Sequence, residues 1–291
     1  MIAKMIECAL IPALGMIAPR APARVAVDGA RTLALRGGPV RLHSVGAGDH
    51  ALVFLHGFNS QLSVWNQVWA AIAGDARRIR IDLPGYGGSA WRSDCYDLRS
   101  QAARVVELLD ALGLARATLV GVSMGGSLAA WIAARHQERV GGLVLLAPSA
   151  YPGALRYRGP FGRLLRPGVP RQLATRVARS LAYRRLYPDS RALQALTVVA
   201  SYGEPWASAL ADIRVHAWVV WSRDDATVPF AYASAVCRAI PASTLISLPA
   251  GVGHDIPGRR PALVAELACA VHGGARPERI AHELGLPRGD S

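Results

Sequence analysis

The sequence is poor in charged residues, in cysteine and in lysine. Only 18% of its 291 residues are charged and 52% are apolar, so the chain can bury a sizeable core, and a disordered protein is excluded. The four cysteines are far apart and form no C-x-x-C pair, which excludes a site built from paired cysteine ligands and argues against a disulfide framework. No apolar run reaches the roughly 18–20 residues of a membrane-spanning helix. These features indicate a soluble globular protein, or at most one that binds a membrane surface.

The formal net charge is +13, and all of the 33 basic residues except Lys4 are arginines. This skew is typical of a GC-rich genome. The arginines are spread through most of the chain and form neither a basic arm nor a zinc-finger pattern, which argues against a nucleic-acid partner. The excess positive charge therefore bears mainly on solubility and on the long-range attraction of anionic partners.

Short apolar strands alternate with helical segments over residues 51–147 and again over 217–271. This alternation predicts an α/β fold, with a mostly parallel sheet flanked by helices on both faces. Between about residues 151 and 209 no strand pattern is found, and residues 151–191 contain ten arginines against one carboxylate. We predict that this stretch is a helical cap inserted into the α/β core. An ordinary amphipathic cap with a solvated arginine face and a cap that attracts anionic groups or an acidic membrane are both open.

The chain accordingly divides into five segments, which are an N-terminal segment at 1–24, a first core part at 25–149, the cap at 150–210, a second core part at 211–272 and a C-terminal tail at 273–291. The N-terminal segment resembles either a signal peptide or an amphipathic helix. We expect a cytoplasmic protein, with export or membrane-surface association through residues 1–24 as the alternative. The polar tail is expected to be loosely held.

The segment Gly121-Val122-Ser123-Met124-Gly125 lies between a predicted strand and a predicted helix. A sharp turn there exposes the serine hydroxyl, but it requires small residues two positions before and after the serine, which Gly121 and Gly125 provide. The helix that follows also presents free backbone N–H groups beside the serine. The pattern predicts that Ser123 is a nucleophile.

A nucleophilic serine needs a base, and the base needs a carboxylate that orients it. Asp224 and Asp225 follow a predicted strand, and His254 lies in a glycine-rich loop after the next strand. The order Ser, Asp, His along the chain is that of the α/β-hydrolases.

The sequence resembles the α/β-hydrolase superfamily, and in particular its lid-bearing serine esterases, lipases and C–C hydrolases, from about residue 40 to residue 272. The resemblance rests on several motifs in family order: Leu55-His56-Gly57-Phe58, Asp82-Leu83-Pro84-Gly85-Tyr86-Gly87-Gly88-Ser89, the Ser123 motif, Asp225-x-x-Val228-Pro229 and Gly253-His254.

The resemblance implies that Ser123 is the nucleophile, His254 the general base and Asp225 the carboxylate that holds the imidazole. Asp225 is preferred over Asp224 because the family's acid lies three residues before Val228, and Asp224 is then expected to be a solvated loop carboxylate. The acid position that some relatives use, one strand earlier, is near Ser149, and no carboxylate lies there.

The family's oxyanion hole implies that the backbone N–H groups of Phe58 and Met124 bind the developing negative charge. The side chains of these two residues are then expected to line the acyl pocket. In the family His56 has a structural role beside the oxyanion loop.

These features predict a hydrolase that cleaves small to medium carboxylic esters through an acyl-enzyme, with a small-molecule substrate, no cofactor and no metal. Ser123 argues against haloalkane dehalogenases and epoxide hydrolases, which carry aspartate at that position. A C–C bond hydrolase or an acyltransferase on the same triad is the alternative, although Phe58-Asn59-Ser60 lacks the extra glycines usual in C–C hydrolases. Outside enzymes, the alternative is a non-catalytic binding module on this fold.

Overall fold

The computed structural model describes residues 23–90, 96–150 and 204–283. Within these ranges eight strands form one sheet in the order β1-β2-β4-β3-β5-β6-β7-β8. Strand β2 is antiparallel to both of its neighbours, and all other neighbouring strands are parallel. The strands are β1 (Arg31–Leu33), β2 (Val40–Val45), β3 (Ala47–Leu55), β4 (Ala76–Ile81), β5 (Arg116–Val122), β6 (Val140–Leu146), β7 (Ala217–Ser222) and β8 (Ser243–Leu248).

Helices cover both faces of this sheet. Helices α2 and α3 pack against each other, while α7 packs on α1 and on strands β3, β5 and β6. Because the central strands lie between two helical layers, β5 is buried except at its first residue and β7 is buried throughout. The helices are α1 (Asn66–Ala71), α2 (Leu98–Ala111), α3 (Met124–Arg135), α4 (Glu204–Ala209), α5 (Ala233–Ala239), α6 (Ile256–Arg259), α7 (Pro261–His272) and α8 (Pro277–Glu283).

The strand order places the loops that carry the predicted site residues at one edge of the sheet. After β3 the chain adds β4 on one side, and it then returns to add β5 on the other side of β3. The chain therefore leaves β3 and β5 in opposite directions at their carboxyl ends, which is the position at which open α/β sheets bind ligands. Leu55, the last residue of β3, is paired in register with Gly121 near the end of β5.

A buried ion pair fixes the start of the Asp82-Leu83-Pro84 segment, which follows β4. Arg41 Nη1 donates to Asp82 Oδ2 over 3.2 Å, and both side chains are almost completely buried. Asp82 also accepts hydrogen bonds from the N–H groups of Leu62 and Gly88, each over 2.7 Å. Since these donors satisfy both oxygens of a buried carboxylate, Asp82 joins three segments of the chain.

The predicted α/β class is confirmed, and the central strands lie where the apolar runs indicated. Strands β1 and β2 were not expected, because β1 is short and exposed and β2 is only partly buried. The expectation of a loosely held tail was wrong for residues 277–283, which form α8 with Ile280 buried. Ile280 and Ala281 are adjacent and otherwise surrounded by polar residues and Pro277, so they show no helical periodicity from which the burial of Ile280 could be recognised.

Several predictions concern residues outside the described ranges. They are the signal-like or amphipathic segment up to residue 22, most of the cap (151–203) and the last residues (284–291). Among the residues that are described, no helix combines the length and the apolar character needed to cross a membrane.

Candidate active site

Ser123 lies on a strained turn between β5 and α3. Its φ of 55° and ψ of −117° are rarely adopted by an L-residue and cost of the order of 1–3 kcal/mol. A serine at the N-cap of a helix normally caps the helix with its hydroxyl, but the Ser123 side chain makes no capping hydrogen bond. The side chain is 9% exposed. The hydroxyl is thus held at the helix N-terminus without being used by the helix.

Neither Gly121 nor Gly125 has room for a side chain. A Cβ atom at Gly121 would overlap the backbone of Gly125 and Gly126, and one at Gly125 would overlap the backbone of Leu55 and His56. The obstructing atoms are all backbone, so no side chain can move aside. The close approach of β3, β5 and α3 at this turn therefore depends on both glycines.

The loop after β3 lies directly beside Ser123. A Cβ atom at Gly57 would be 3.3 Å from Ser123 Cβ and 3.9 Å from Ser123 Oγ, which places the backbone before Phe58 next to the hydroxyl. Met124 is the first residue of α3, so its N–H has no acceptor within the helix. The structure thus brings the Phe58 loop and the Met124 N–H to the same serine.

The fully buried His56 links this loop to the Asp82-Leu83-Pro84 segment. Its Nε2 accepts a hydrogen bond from Leu83 N–H over 2.9 Å, which means that Nδ1 carries the proton and donates to Gly57 O over 2.7 Å. Both ring nitrogens are therefore occupied by backbone groups. This agrees with the structural role predicted for His56.

Ser127, one helical turn after Ser123, joins three segments behind the nucleophile turn. Its Oγ donates to Ser123 O over 3.2 Å and accepts from the N–H groups of Ser149 and Ala150, each over 2.9 Å. Trp206 Nε1 donates to Ser127 O over 2.8 Å. This network was not predicted from the sequence. The only local signal was the i, i+4 spacing, at which a serine hydroxyl can reach a helical carbonyl.

Asp225 and His254 are in direct contact across the loops that follow β7 and β8. His254 Nδ1 lies 2.7 Å from Asp225 Oδ2. Asp225 is 5% exposed, whereas a quarter of the His254 side chain is exposed. With Nδ1 directed at the carboxylate, Nε2 is left as the basic nitrogen of the neutral imidazole.

The spacing between Asp225 and Val228 has a structural reason. Asp225 Oδ1 accepts hydrogen bonds from the N–H groups of Thr227 and Val228, each over 2.8 Å, and so closes a tight turn over its own backbone. Val228 is completely buried, and its carbonyl accepts from Trp221 Nε1 over 2.9 Å. The turn therefore fixes one carboxylate oxygen and leaves Oδ2 for the histidine.

The neighbouring Asp224 differs from the expectation of a solvated carboxylate. It is exposed, but it accepts hydrogen bonds from Ser222 Oγ (2.5 Å) and from the N–H groups of Gly251 (2.7 Å) and Gly253 (2.9 Å). The bond from Ser222, followed by those from the two glycines, lowers the pKa of Asp224 to about 2. The two glycine donors could not be foreseen, because Gly251 and Gly253 lie 27 and 29 positions after Asp224 and reach it only when β7 and β8 pair.

The predicted site residues thus lie at the carboxyl edge of the sheet. Ser123 follows β5, Asp225 follows β7 and His254 follows β8, and these strands run parallel within the segment β5-β6-β7-β8. Asp225 and His254 form one hydrogen-bonded pair, and Ser123 forms a second unit with the Phe58 loop.

Three histidines outside this site contact side chains of neighbouring strands and helices. His43 accepts from the buried Arg80 and packs on Trp69, and His50 and His272 both contact Thr118 Oγ. Burial lowers the pKa of each of these three imidazoles. The described ranges contain no group of three or more histidine, cysteine or acidic side chains arranged to hold a metal ion.

Comparison with known proteins agrees with the fold. Residues 50–183 match the model of the alpha/beta hydrolase fold family. Over 227 residues the chain is 31% identical to the dihydrolipoyllysine-residue acetyltransferase component of the acetoin cleaving system of Pseudomonas putida. That match covers 72% of this chain, but the chain spans only 60% of the relative's length.

A second relative is matched over more of its length. The chain is 32% identical over 224 residues to a 2-hydroxy-6-oxononadienedioate/2-hydroxy-6-oxononatrienedioate hydrolase of Paraburkholderia phymatum, which covers 65% of this chain and 76% of the relative. Among solved structures, an enol-lactonase from Burkholderia xenovorans LB400 superposes with a TM-score of 0.66 at 20% identity, covering 83% of this chain and 99% of that one. This last similarity shows the shared fold.

Proposed function

Because this chain belongs to the α/β-hydrolase fold family of enzymes, we propose that it hydrolyses carboxylic esters of small to medium size through an acyl-enzyme. In this proposal Ser123 is the nucleophile, His254 the general base and Asp225 the carboxylate that orients the imidazole. The substrate is a small molecule, and the steps use only these residues and water.

The observation that carries the proposal is the contact of 2.7 Å between His254 Nδ1 and Asp225 Oδ2, at the same sheet edge as an uncapped serine on a strained turn. Asp225 holds the imidazole with Nδ1 protonated, so Nε2 accepts the Ser123 proton as Oγ attacks the ester carbonyl. The protonated imidazole then gives that proton to the leaving alcohol. In the second half-reaction His254 activates water, which releases the acid and frees Ser123.

Negative charge develops on the carbonyl oxygen in both half-reactions. We assign its stabilisation to the N–H groups of Phe58 and Met124, which belong to the two segments that meet at Ser123. Donors of this kind contribute about 100- to 1,000-fold to the rate when they are held in place before the reaction. His56 supports this arrangement because it ties the Gly57 carbonyl to Leu83.

The second candidate function is C–C bond hydrolysis or acyl transfer on the same three residues. It is favoured by the names of the two relatives, one a hydrolase of a dienedioate and one an acetyltransferase component. Ester hydrolysis is preferred because the loop Phe58-Asn59-Ser60 lacks the extra glycines usual in C–C hydrolases. The cap over residues 150–210, the cytoplasmic location and contact with a membrane surface stay predictions.

The test is hydrolysis of p-nitrophenyl esters from acetate to palmitate by the wild type, Ser123→Ala and the control Ser63→Ala. We expect turnover by the wild type and the control, and a loss of at least about 1,000-fold in kcat for Ser123→Ala. A fluorophosphonate probe should label the wild type and leave Ser123→Ala unlabelled. Labelling without turnover of any ester would favour the second candidate, and a wild type that is not labelled would contradict the proposal.

A further inference from the structure

The three residues before His254 make few packing contacts, although the Ser222 hydroxyl contacts Pro249 O at the start of this loop over 3.2 Å. Gly251 and Gly253 adopt φ values of 98° and 62°, and a Cβ atom at either position would meet nothing within 4 Å. Gly251 is exposed, Gly253 is half-buried, and between them only Val252 is buried against the core. The backbone just before His254 therefore receives few packing contacts.

Asp224 holds this part of the loop. Its Oδ2 accepts from Gly251 N–H and its Oδ1 from Gly253 N–H, so the two oxygens span the three residues before His254. The Ser222 hydroxyl donates to Oδ1 over 2.5 Å and orients the carboxylate from the end of β7. Hydrogen bonds to an ionised acceptor are about twice as strong as neutral ones, which suits an exposed site where water competes.

The two carboxylates thus act on different parts of one residue. Asp225 binds the imidazole ring of His254, and Asp224 binds the backbone from which the ring extends. We propose that Asp224 is a positioning residue, which fixes the His254 loop so that the imidazole stays aligned with Asp225 and with the nucleophile. This inference rests on the proposed role of His254 as the base.

The expected effect is kinetic rather than a loss of the fold, because Asp224 is exposed and takes no part in the core. A misplacement of a catalytic group by about 1 Å costs up to about 100-fold in rate. We therefore expect Asp224→Ala to lower kcat by about 10- to 100-fold and to change KM by less than about threefold. Asp224→Asn should lie between this variant and the wild type, since the amide keeps one acceptor oxygen.

The experiment compares wild type, Asp224→Asn, Asp224→Ala and the charge-matched control Asp28→Ala, whose carboxylate is exposed and lies before β1. The variants are compared by ester kinetics across pH, by the rate of fluorophosphonate labelling and by thermal unfolding. Positioning predicts a lower plateau of kcat/KM and slower labelling, graded from Asn to Ala, with an unfolding temperature close to that of the wild type. Equal shifts of the acid limb in Asn and Ala with an unchanged plateau would show an effect of charge alone and overturn the proposal.

A readout without catalysis separates this inference from the proposed function. The proton on His254 Nδ1, bound to Asp225, should give a downfield NMR resonance in the wild type that is lost in His254→Gln. We expect this resonance to broaden or disappear in Asp224→Ala, whether or not any ester is turned over. A resonance of unchanged position and width in Asp224→Ala would overturn the positioning role.

Discussion

The nucleophile turn and the histidine loop hold their residues by different physical means. Ser123 lies in a turn where the backbones of β3, β5 and α3 are in contact, and its position is fixed by packing around Gly121 and Gly125. The His254 loop is partly exposed, has open space at its glycines and is held by hydrogen bonds to Asp224 and Asp225. The position of Ser123 thus depends on close backbone packing, and the position of the His254 loop depends on hydrogen bonds to carboxylates.

This difference fits the tasks proposed for the two residues. A nucleophile must meet the oxyanion donors with little freedom, and close packing provides this because interiors are dense and resist displacement. A base that takes a proton and gives it back must stay accessible to the leaving group and to water, so its loop cannot be sealed into the core. Hydrogen bonds to Asp224 and Asp225 can order such a loop without burying the loop itself.

The two regions should differ most in how much activity they lose when a glycine is replaced by alanine. Gly125→Ala should reduce kcat/KM by more than about 100-fold, because the new methyl group overlaps backbone that cannot move without displacing Phe58 or Ser123. Gly253→Ala, the matched control, has room for the methyl group and should cost only about 1–2 kcal/mol of stability through its positive φ. Ester kinetics and urea unfolding of both variants test this, and similar losses in the two would contradict the contrast.

A smaller effect is expected when the support behind the nucleophile turn is removed. Ser127→Ala leaves the buried N–H groups of Ser149 and Ala150 without their hydroxyl acceptor, and it should lower the free energy of unfolding by about 1–3 kcal/mol. The change should also lower kcat severalfold, because Ser127 Oγ donates to Ser123 O.

The matched control for this change is Ser243→Ala, which removes a partly buried hydroxyl bonded to Cys237 O over 3.0 Å. It should cost about 1 kcal/mol and leave kcat unchanged. Urea unfolding and ester kinetics measure both quantities. Equal values of kcat for the two variants would show that Ser127 does not support the nucleophile turn.

The smallest expected effect is that of mild acid, and it should spare the histidine loop. Asp224, with its pKa lowered to about 2, loses its stabilising contribution only as the pH falls from about 3.8 through about 2, so its hydrogen bonds persist at pH 5.5. His50 and His272 instead have pKa values lowered by burial, and each is also near a second positive or titratable group, Arg116 for His50 and His50 for His272. The unfolded chain then binds protons more readily than the folded chain, so stability falls as the pH drops below about 6.5.

We therefore expect Tm to be lower at pH 5.5 than at pH 7.5, and to fall less in His272→Gln, which removes one of the two partly buried rings. Calorimetry at the two pH values checks this. An equal fall in the variant would place the acid-sensitive groups elsewhere in the chain.

Most of the central sheet could be predicted because its signals are local. Buried parallel strands appear as short apolar runs, and the requirement for glycine around Ser123 arises within five residues of chain. Strand β1 and helix α8 were missed because they bury too few side chains to produce a period. The network of Ser127 was missed because serine is compatible with many environments, and only the fold shows that two N–H groups meet its hydroxyl.

The sequence by itself determined the α/β class, the strand-turn-helix context of Ser123 and the order of Ser123, Asp225 and His254, because these depend on residues that are neighbours in the chain. Only the tertiary structure shows which groups of the histidine loop each aspartate binds. Asp224 and Gly253 are separated by 29 positions, as are Asp225 and His254, and they meet because β7 and β8 pair in parallel and end at the same edge. Hydrogen bonds between separate loops depend on atomic positions that no local pattern specifies, which is why the backbone partners of the exposed Asp224 could not be predicted.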